Sequence, residues 1–160
     1  TAQELGAGGI MAAPGLLGLS IIRELSSAPD FHLPIFLHPC FSGPLVLSAD
    51  SGVSPFCYYG QFSRLAGADA AIFTSFGGRF PFTEEVCRKI CDGTETEMGG
   101  LRSIFPVPSG GMKWQLFKKM VQVYGPDAIF LVGGALLTES DDLTANMHFY
   151  FEKLNEAVNK

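Results

Sequence analysis

The sequence has little charge, and its charges are not clustered. Charged residues make up 17% of the 160 residues, and 11 basic against 16 acidic residues give a net charge of −5. No basic cluster is present, which argues against a nucleic-acid partner. Hydrophobic residues make up 47% of the chain. This composition predicts a buried core rather than disorder, and the length allows one domain or part of one.

Long apolar runs of the membrane-spanning kind are also missing. Two stretches without Asp, Glu, Lys or Arg, 5–22 and 31–49, are long enough to test. The first contains five glycines and Pro14, and the second contains Pro34, Pro39 and Pro44. Neither has the composition of a transmembrane helix, and no secretory signal is visible. We therefore expect no membrane partner.

Paired metal ligands are scarce. The four cysteines are Cys40, Cys57, Cys87 and Cys91. Cys87 and Cys91 are four positions apart on a predicted helix, but no matching His/Cys pair stands nearby, so zinc is not expected. We predict free thiols in a reducing compartment and no metal ligands in this chain.

Apolar runs alternate with helical patterns along the whole chain. The runs are continuous, as in parallel strands buried on both faces, and this indicates an α/β fold. Five β-α units follow one another, with strands predicted within 8–14, 33–39, 69–74, 104–107 and 128–132. The helices between and after them are predicted at 15–25, 54–66, 83–92, 114–123 and 141–158. Three of these helices have predicted caps, which are Ser54, Thr83 and Ser140.

Two consecutive predicted strands end in glycine pairs. The strand at 104–107 leads into Ser109-Gly110-Gly111, and the strand at 128–132 ends at Gly133-Gly134. Paired glycines let backbone N–H groups approach an anion, and the Ser109 hydroxyl is an extra donor. The loops after strands seven and eight of a (β/α)8 barrel form such a phosphate site. The alternative is that both pairs only make tight turns.

The order of elements alone fits either a Rossmann-like sheet or a piece of a barrel. The G-x-G-x-x-G fingerprint of dinucleotide-binding sheets is missing after the first strand. Five units cannot close a barrel that needs eight and about 250 residues. The chain begins at Thr1 within a helix-like pattern, so we expect a fragment or a processed piece.

Six short motifs span nearly the whole chain: HPCFSG at 38–43, RLAGAD at 64–69, GGRFPF at 77–82, PVPSGGM at 106–112, YGPD at 124–127 and GG at 133–134. Together and in this order they resemble the C-terminal barrel of the RuBisCO large-chain family, and in particular its RuBisCO-like (form IV) branch. The resemblance implies that residues 1–160 are a partial TIM-barrel domain, about strands four to eight. The family's N-terminal domain and first barrel units would then lie outside this chain.

The resemblance also implies roles for particular residues. Ser109 would contact hydroxyl or phosphate oxygens of a substrate, and the glycine pairs would bind one phosphate through backbone N–H groups. His38 falls where the family has an active-site histidine, with a plain polar strand end as the alternative. The phosphate-binding set is Ser109, Gly110, Gly111, Gly133 and Gly134, and the catalytic set is His38 and Arg79.

Three positions differ from the true carboxylases. Pro39 stands in place of a phosphate-binding arginine, and Ile72 in place of a histidine. Arg79 replaces the mobile-loop lysine, and a guanidinium does not reproduce the geometry of an ammonium. These differences favour enolisation or isomerisation of a phosphorylated keto-sugar or methylthio-sugar over carboxylation.

The family's metal site and its strand-one lysine fall outside residues 1–160. The full-length parent is expected to use Mg²⁺, while the chain alone is expected to be inactive. Two alternatives are a fragment of a carbon-fixing carboxylase and a non-catalytic half-barrel that binds phosphate. Another phosphate-binding α/β barrel would require the six motifs to be coincidence.

The resemblance carries expectations about partners and location. We expect a phosphorylated small-molecule substrate, and a homodimer or higher homo-oligomer for the full-length protein. The location would be the cytoplasm, or the plastid stroma in a photosynthetic eukaryote.

Overall fold

A computed structural model describes residues 1–48, 50–78 and 80–159. Its strands are β1 (Ile10–Ala12), β2 (Ile35–Leu37), β3 (Ala70–Thr74) and β4 (Phe105–Ser109). They form one sheet in chain order, β1-β2-β3-β4. The β1–β2 and β2–β3 pairs are parallel, with Met11 opposite Phe36 and Leu37 opposite Ala71. The α/β prediction is confirmed, because strands that follow one another in a parallel sheet need a crossover between them.

Helices provide these crossovers and end the chain. The α-helices are α1 (Pro14–Leu17), α2 (Leu19–Ser26), α3 (Gly43–Val46), α4 (Ser63–Leu65), α5 (Glu84–Glu95), α6 (Phe117–Tyr124), α7 (Gly134–Leu137) and α8 (Leu143–Val158). A π-helix covers Phe56–Phe62, and a 3-10 helix covers Trp114–Leu116. No helix among the described residues is long and apolar enough to cross a membrane.

Capping side chains fix several helix starts. The predicted cap Ser54 accepts a hydrogen bond from the Cys57 N–H at 3.2 Å, and Thr83 does the same for Val86 at 3.2 Å. The last helix is capped by Asp142, which accepts from the Ala145 N–H at 2.9 Å, and not by Ser140 as predicted. Each cap satisfies an N–H group that the first turn of a helix leaves without a partner.

The predicted fifth strand at 128–132 is not a strand. Its link to β4 is a hydrogen bond from the Leu131 N–H to the Pro108 carbonyl, 3.1 Å long. Residues 105, 107 and 109 of β4 point their backbone groups toward β3, since Phe105 donates to Asp69 and Ser109 accepts from Ser75. The opposite side therefore belongs to positions 106 and 108, and both are proline. Because proline has no N–H, this side of β4 can accept hydrogen bonds but cannot donate, and a regular ladder cannot form.

The described chain divides into two compact units. The first unit consists of Thr1–Phe73 and Lys89–Pro106, and the second of Thr74–Arg88 and Val107–Lys160. In the first unit, β1 and β2 pack against α2 and the loop after α4. That core is formed by Ala12, Ile22, Ile35, Leu37, Ala66 and Ala68. In the second unit, an aromatic cluster joins α6 to α8, with Phe117 5.8 Å from Tyr150 between ring centroids.

Candidate functional site

The serine-glycine-glycine turn follows directly from β4 in the second unit. Ser109 is the last residue of the strand and is half-buried. Gly110 and Gly111 have φ values of 82° and 95°, which lie in the left-handed region. Glycine enters this region without the steric cost that a Cβ imposes. Met112 is 1% exposed and anchors the far end of the turn.

A second glycine turn lies against the first. Gly78 approaches the Gly110 carbonyl so closely that any Cβ on Gly78 would collide with it. A Cβ on Gly110 would in turn lie 3.1 Å from the ring of Phe80. Gly78 is thus fitted to the turn at 109–111 by a backbone contact that only glycine permits.

The other predicted glycine pair lies on a neighbouring segment of the same unit. Gly133 precedes α7 and accepts hydrogen bonds from the Leu136 and Leu137 N–H groups at 3.0 and 3.2 Å. The hydrogen bond from the Leu131 N–H to the Pro108 carbonyl holds the end of β4 beside the segment that leads to Gly133. Pro108 comes directly before Ser109, and Leu131 lies two residues before Gly133. The structure thus places the two glycine pairs at the ends of adjacent segments, where backbone N–H groups could converge on one anion.

His38 follows β2 in the first unit and is half-buried. Its backbone N–H donates to the Ala12 carbonyl at 2.8 Å, which continues the ladder between β1 and β2. Its Nδ1 accepts from the Cys40 N–H at 3.1 Å. The neutral ring therefore carries its proton on Nε2, and the orientation of the ring is set by its own loop.

The remaining positions named from the sequence are less informative. Arg79 lies outside the described residues. Ile72 is 2% exposed within β3 and packs as a core residue. Within the described ranges, no three His, Cys, Asp or Glu side chains come together as metal ligands. The residues seen here therefore do not fit a Mg²⁺ site.

Two buried residues beneath the turn were missed in the sequence. Ser75, directly after β3, and Tyr124, at the end of α6, hydrogen-bond through their hydroxyls at 2.8 Å. Tyr124 belongs to the YGPD motif at 124–127, which is one of the six motifs noted in the sequence, but no role was predicted there for its side chain. The pairing joins residues 49 positions apart, and no local pattern encodes it.

Alkaline pH should destabilise the fold through Cys87 and Tyr124. Burial raises the pKa of the Cys87 thiol above its usual 9.0 and the pKa of the Tyr124 phenol above its usual 10.0. The stability that these protonated groups contribute is fully present below about pH 9 and is lost as the pH rises toward their folded pKa values. We expect a lower urea midpoint at about pH 10.5 than at about pH 7. Tyr124→Phe should reduce this pH dependence, and an unchanged pH dependence in that variant would contradict the assignment.

No family model matches the chain. It is 36% identical over 148 residues to the 5-methylthioribulose-1-phosphate isomerase of Rhodospirillum rubrum, covering 90% of this chain and 37% of that protein. It is 32% identical over 155 residues to the 2,3-diketo-5-methylthiopentyl-1-phosphate enolase of Exiguobacterium sibiricum, covering 97% of this chain and 39% of that protein. The chain thus spans about two fifths of the length of these relatives.

The parallel sheet in chain order, with helices between its strands, defines an α/β protein. A solved RuBisCO-like protein from Alicyclobacillus acidocaldarius superposes with a TM-score of 0.86 at 28% identity, over 99% of this chain and 42% of that one. The chain belongs to the RuBisCO large-chain family, where it matches the C-terminal part of the barrel of RuBisCO-like members. The family and barrel predictions are therefore confirmed.

Proposed function

We propose that this chain supplies the phosphate-binding part of a RuBisCO-like enzyme that enolises or isomerises a phosphorylated keto-sugar or methylthio-sugar. The observation that carries the proposal is the pair of glycine turns at 109–111 and 133–134, held side by side by the Leu131–Pro108 hydrogen bond. The two relatives support the reaction class, since their names give an isomerase and an enolase of phosphorylated methylthio compounds.

The proposed role of the turns is to fix the phosphate end of the substrate. Backbone N–H groups at Gly110, Gly111, Gly133 and Gly134, with the Ser109 hydroxyl, would donate to phosphate oxygens. Binding energy from this non-reacting group then orients the carbon that loses its proton beside a carbonyl. His38 is proposed to hold or move a proton at Nε2, and Arg79 to supply a fixed positive charge.

Further parts of the enzyme are proposed to lie in the rest of the natural protein. Mg²⁺ would be held by ligands outside this chain. We also propose a homo-oligomer in the cytoplasm or the plastid stroma. Apolar side chains on α8 support association with other protein surfaces, because Leu143, Met147 and Phe151 recur every four residues and are 47–57% exposed.

Gly110→Ala should weaken binding of inorganic phosphate to the natural protein by about tenfold or more. The new Cβ adds left-handed strain and meets the Phe80 ring, so the N–H groups of the turn move out of position. Isothermal titration with phosphate measures the effect. Gly125→Ala is the matched control, because Gly125 has a φ of 78° with open space around it and should bind phosphate normally.

The reaction itself is tested by proton exchange. The natural protein, given Mg²⁺ and a methylthio-sugar phosphate in D₂O, should exchange the proton next to the carbonyl, as followed by NMR. Gly110→Ala should slow the exchange at low substrate concentration and Gly125→Ala should not. An absence of exchange with every sugar phosphate tried would count against the proposed reaction, while phosphate titration would still test the anion site.

A further inference from the structure

A chain of buried hydrogen bonds connects the turn at 109–111 to Ser75 and Tyr124. Ser75 has no exposed surface, and its backbone N–H donates to the Ser109 carbonyl at 2.7 Å. The position of Ser75 therefore sets the position of the Ser109 peptide.

Tyr124 holds Ser75 from the other side. Its hydroxyl lies 2.8 Å from Ser75 Oγ. Either hydroxyl can be the donor in this pair, and Ser75 Oγ also donates to the Phe76 carbonyl at 3.1 Å. Tyr124 is 4% exposed, and burial raises the pKa of its phenol, so the hydroxyl stays protonated at neutral pH and keeps this bond.

The same tyrosine reaches the second glycine turn through its ring. The Tyr124 ring meets the Phe130 ring edge to face, at 6.1 Å between centroids and an interplanar angle of 89°. Phe130 lies three residues before Gly133. Edge-to-face pairs of this kind fix the relative placement of the segments that carry them.

We infer that Tyr124 is a positioning residue for the phosphate site, and this inference rests on the proposed function. Its hydroxyl holds the Ser109 turn through Ser75, and its ring holds the Gly133-Gly134 turn through Phe130. One side chain thus sets the spacing between the two groups of N–H donors. A misplacement of either turn would lower the affinity for phosphate even where the fold is kept.

The test is a set of phosphate titrations on the natural protein with inorganic phosphate as the probe. Tyr124→Phe, which removes the hydroxyl and with it the hydrogen bond to Ser75, should raise the Kd about fivefold. Ser75→Ala should raise the Kd similarly, and the double variant should bind no more weakly than the weaker single variant, because the two groups act in series. Phe130→Leu acts on the other turn, and its effect should add to that of Ser75→Ala.

Tyr150→Phe is the matched control. Tyr150 is also 4% exposed and lies in the same aromatic cluster, but its hydroxyl bonds to Glu139, at 3.4 Å, and not to the turn. It should leave the Kd for phosphate unchanged. Hydrogen exchange at the Ser75 amide should speed up in Tyr124→Phe and stay unchanged in Tyr150→Phe, which separates positioning from general loss of stability.

The outcomes separate this inference from the proposed function. If the unaltered protein binds phosphate and Tyr124→Phe binds it equally well, the inference is wrong and the phosphate site stands. Equal losses in Tyr124→Phe and Tyr150→Phe would also overturn the inference. If the unaltered protein shows no saturable phosphate binding, the proposed site fails first and the inference fails with it.

Discussion

Arg64→Met should lower the free energy of unfolding by about 3–5 kcal/mol. Arg64 is 4% exposed, and its guanidinium donates to backbone carbonyls of one short segment in the first unit. The acceptors are the carbonyls of Gly93, Thr96, Leu101 and Arg102. The methionine side chain retains apolar volume but has no hydrogen-bond donor, so these buried and part-buried carbonyls lose the guanidinium as their donor.

The guanidinium acts here as a scaffold for a loop. Segment 93–102 connects the end of α5 to β4, and its carbonyls converge on one planar group with five donors. Arg64→Lys should recover only part of the lost stability, because an ammonium on a flexible stem cannot reach the same set of acceptors. Hydrogen exchange in residues 94–102 should rise in both variants.

Urea unfolding followed by circular dichroism measures the loss. Arg23→Met is the matched control, because Arg23 is exposed and donates to the Leu65 carbonyl at 3.1 Å. An exposed bond of this kind contributes little, and we expect a change within about 0.5 kcal/mol. If Arg64→Met and Arg23→Met lower the free energy of unfolding equally, the hydrogen bonds of Arg64 to segment 93–102 are not what stabilises the first unit.

Gly60→Ala should cost about 3 kcal/mol or more, although alanine is the better helix former. Gly60 lies in the π-helix, and a Cβ there would collide with the Gly93 backbone of α5. A Cβ on Gly93 would likewise collide with the Phe56 carbonyl. Because the colliding atoms belong to the backbone, no side chain can move aside, and the π-helix and α5 would have to separate.

Gly43→Ala is the control for this substitution. Gly43 is also helical and in the same unit, but a Cβ there would make an ordinary 3.4 Å contact with Leu47. Thermal unfolding should show a large fall in Tm for Gly60→Ala and little change for Gly43→Ala. A neutral Gly60→Ala variant would mean that the π-helix and α5 do not meet as closely as described.

Much of this fold follows from local pattern. The runs around Ile35, Ile72 and Val107 became strands because continuous apolar residues suit a parallel sheet covered on both faces. The caps Ser54 and Thr83 also act as the sequence indicated. The predicted helix at 15–25 is instead broken into α1 and α2, since Gly18 takes a φ of 79°.

Two features of the fold could not be predicted from local sequence pattern, namely the π-helix and the absence of a fifth strand. A helical periodicity at 54–66 does not distinguish an α-helix from a π-helix, in which Tyr58, Tyr59 and Gly60 are buried in succession. The absent strand at 128–132 follows from two missing N–H groups on its neighbour. Prolines are visible in a sequence, but the side of the strand that they face is known only once the register is known.

Some features of the candidate site were predicted from the sequence, and others are seen only in the structure. Ser109 and the glycine pairs were predicted from residue types at the ends of apolar runs, and their roles stay predictions. The contact of Gly78 with Gly110 and the support of Ser75 by Tyr124 join separate loops, so local spacing does not reveal them.

The prolines of β4 also affect how the chain avoids aggregation before it is fully folded. An exposed strand normally presents donors and acceptors to any similar strand that it meets. Along one side of β4, Pro106 and Pro108 leave only acceptors. Two partly folded copies meeting along that side would both lack the N–H donors needed for a ladder. The apolar segment that leads to the glycine turn is therefore guarded against self-pairing during synthesis, when such segments are exposed.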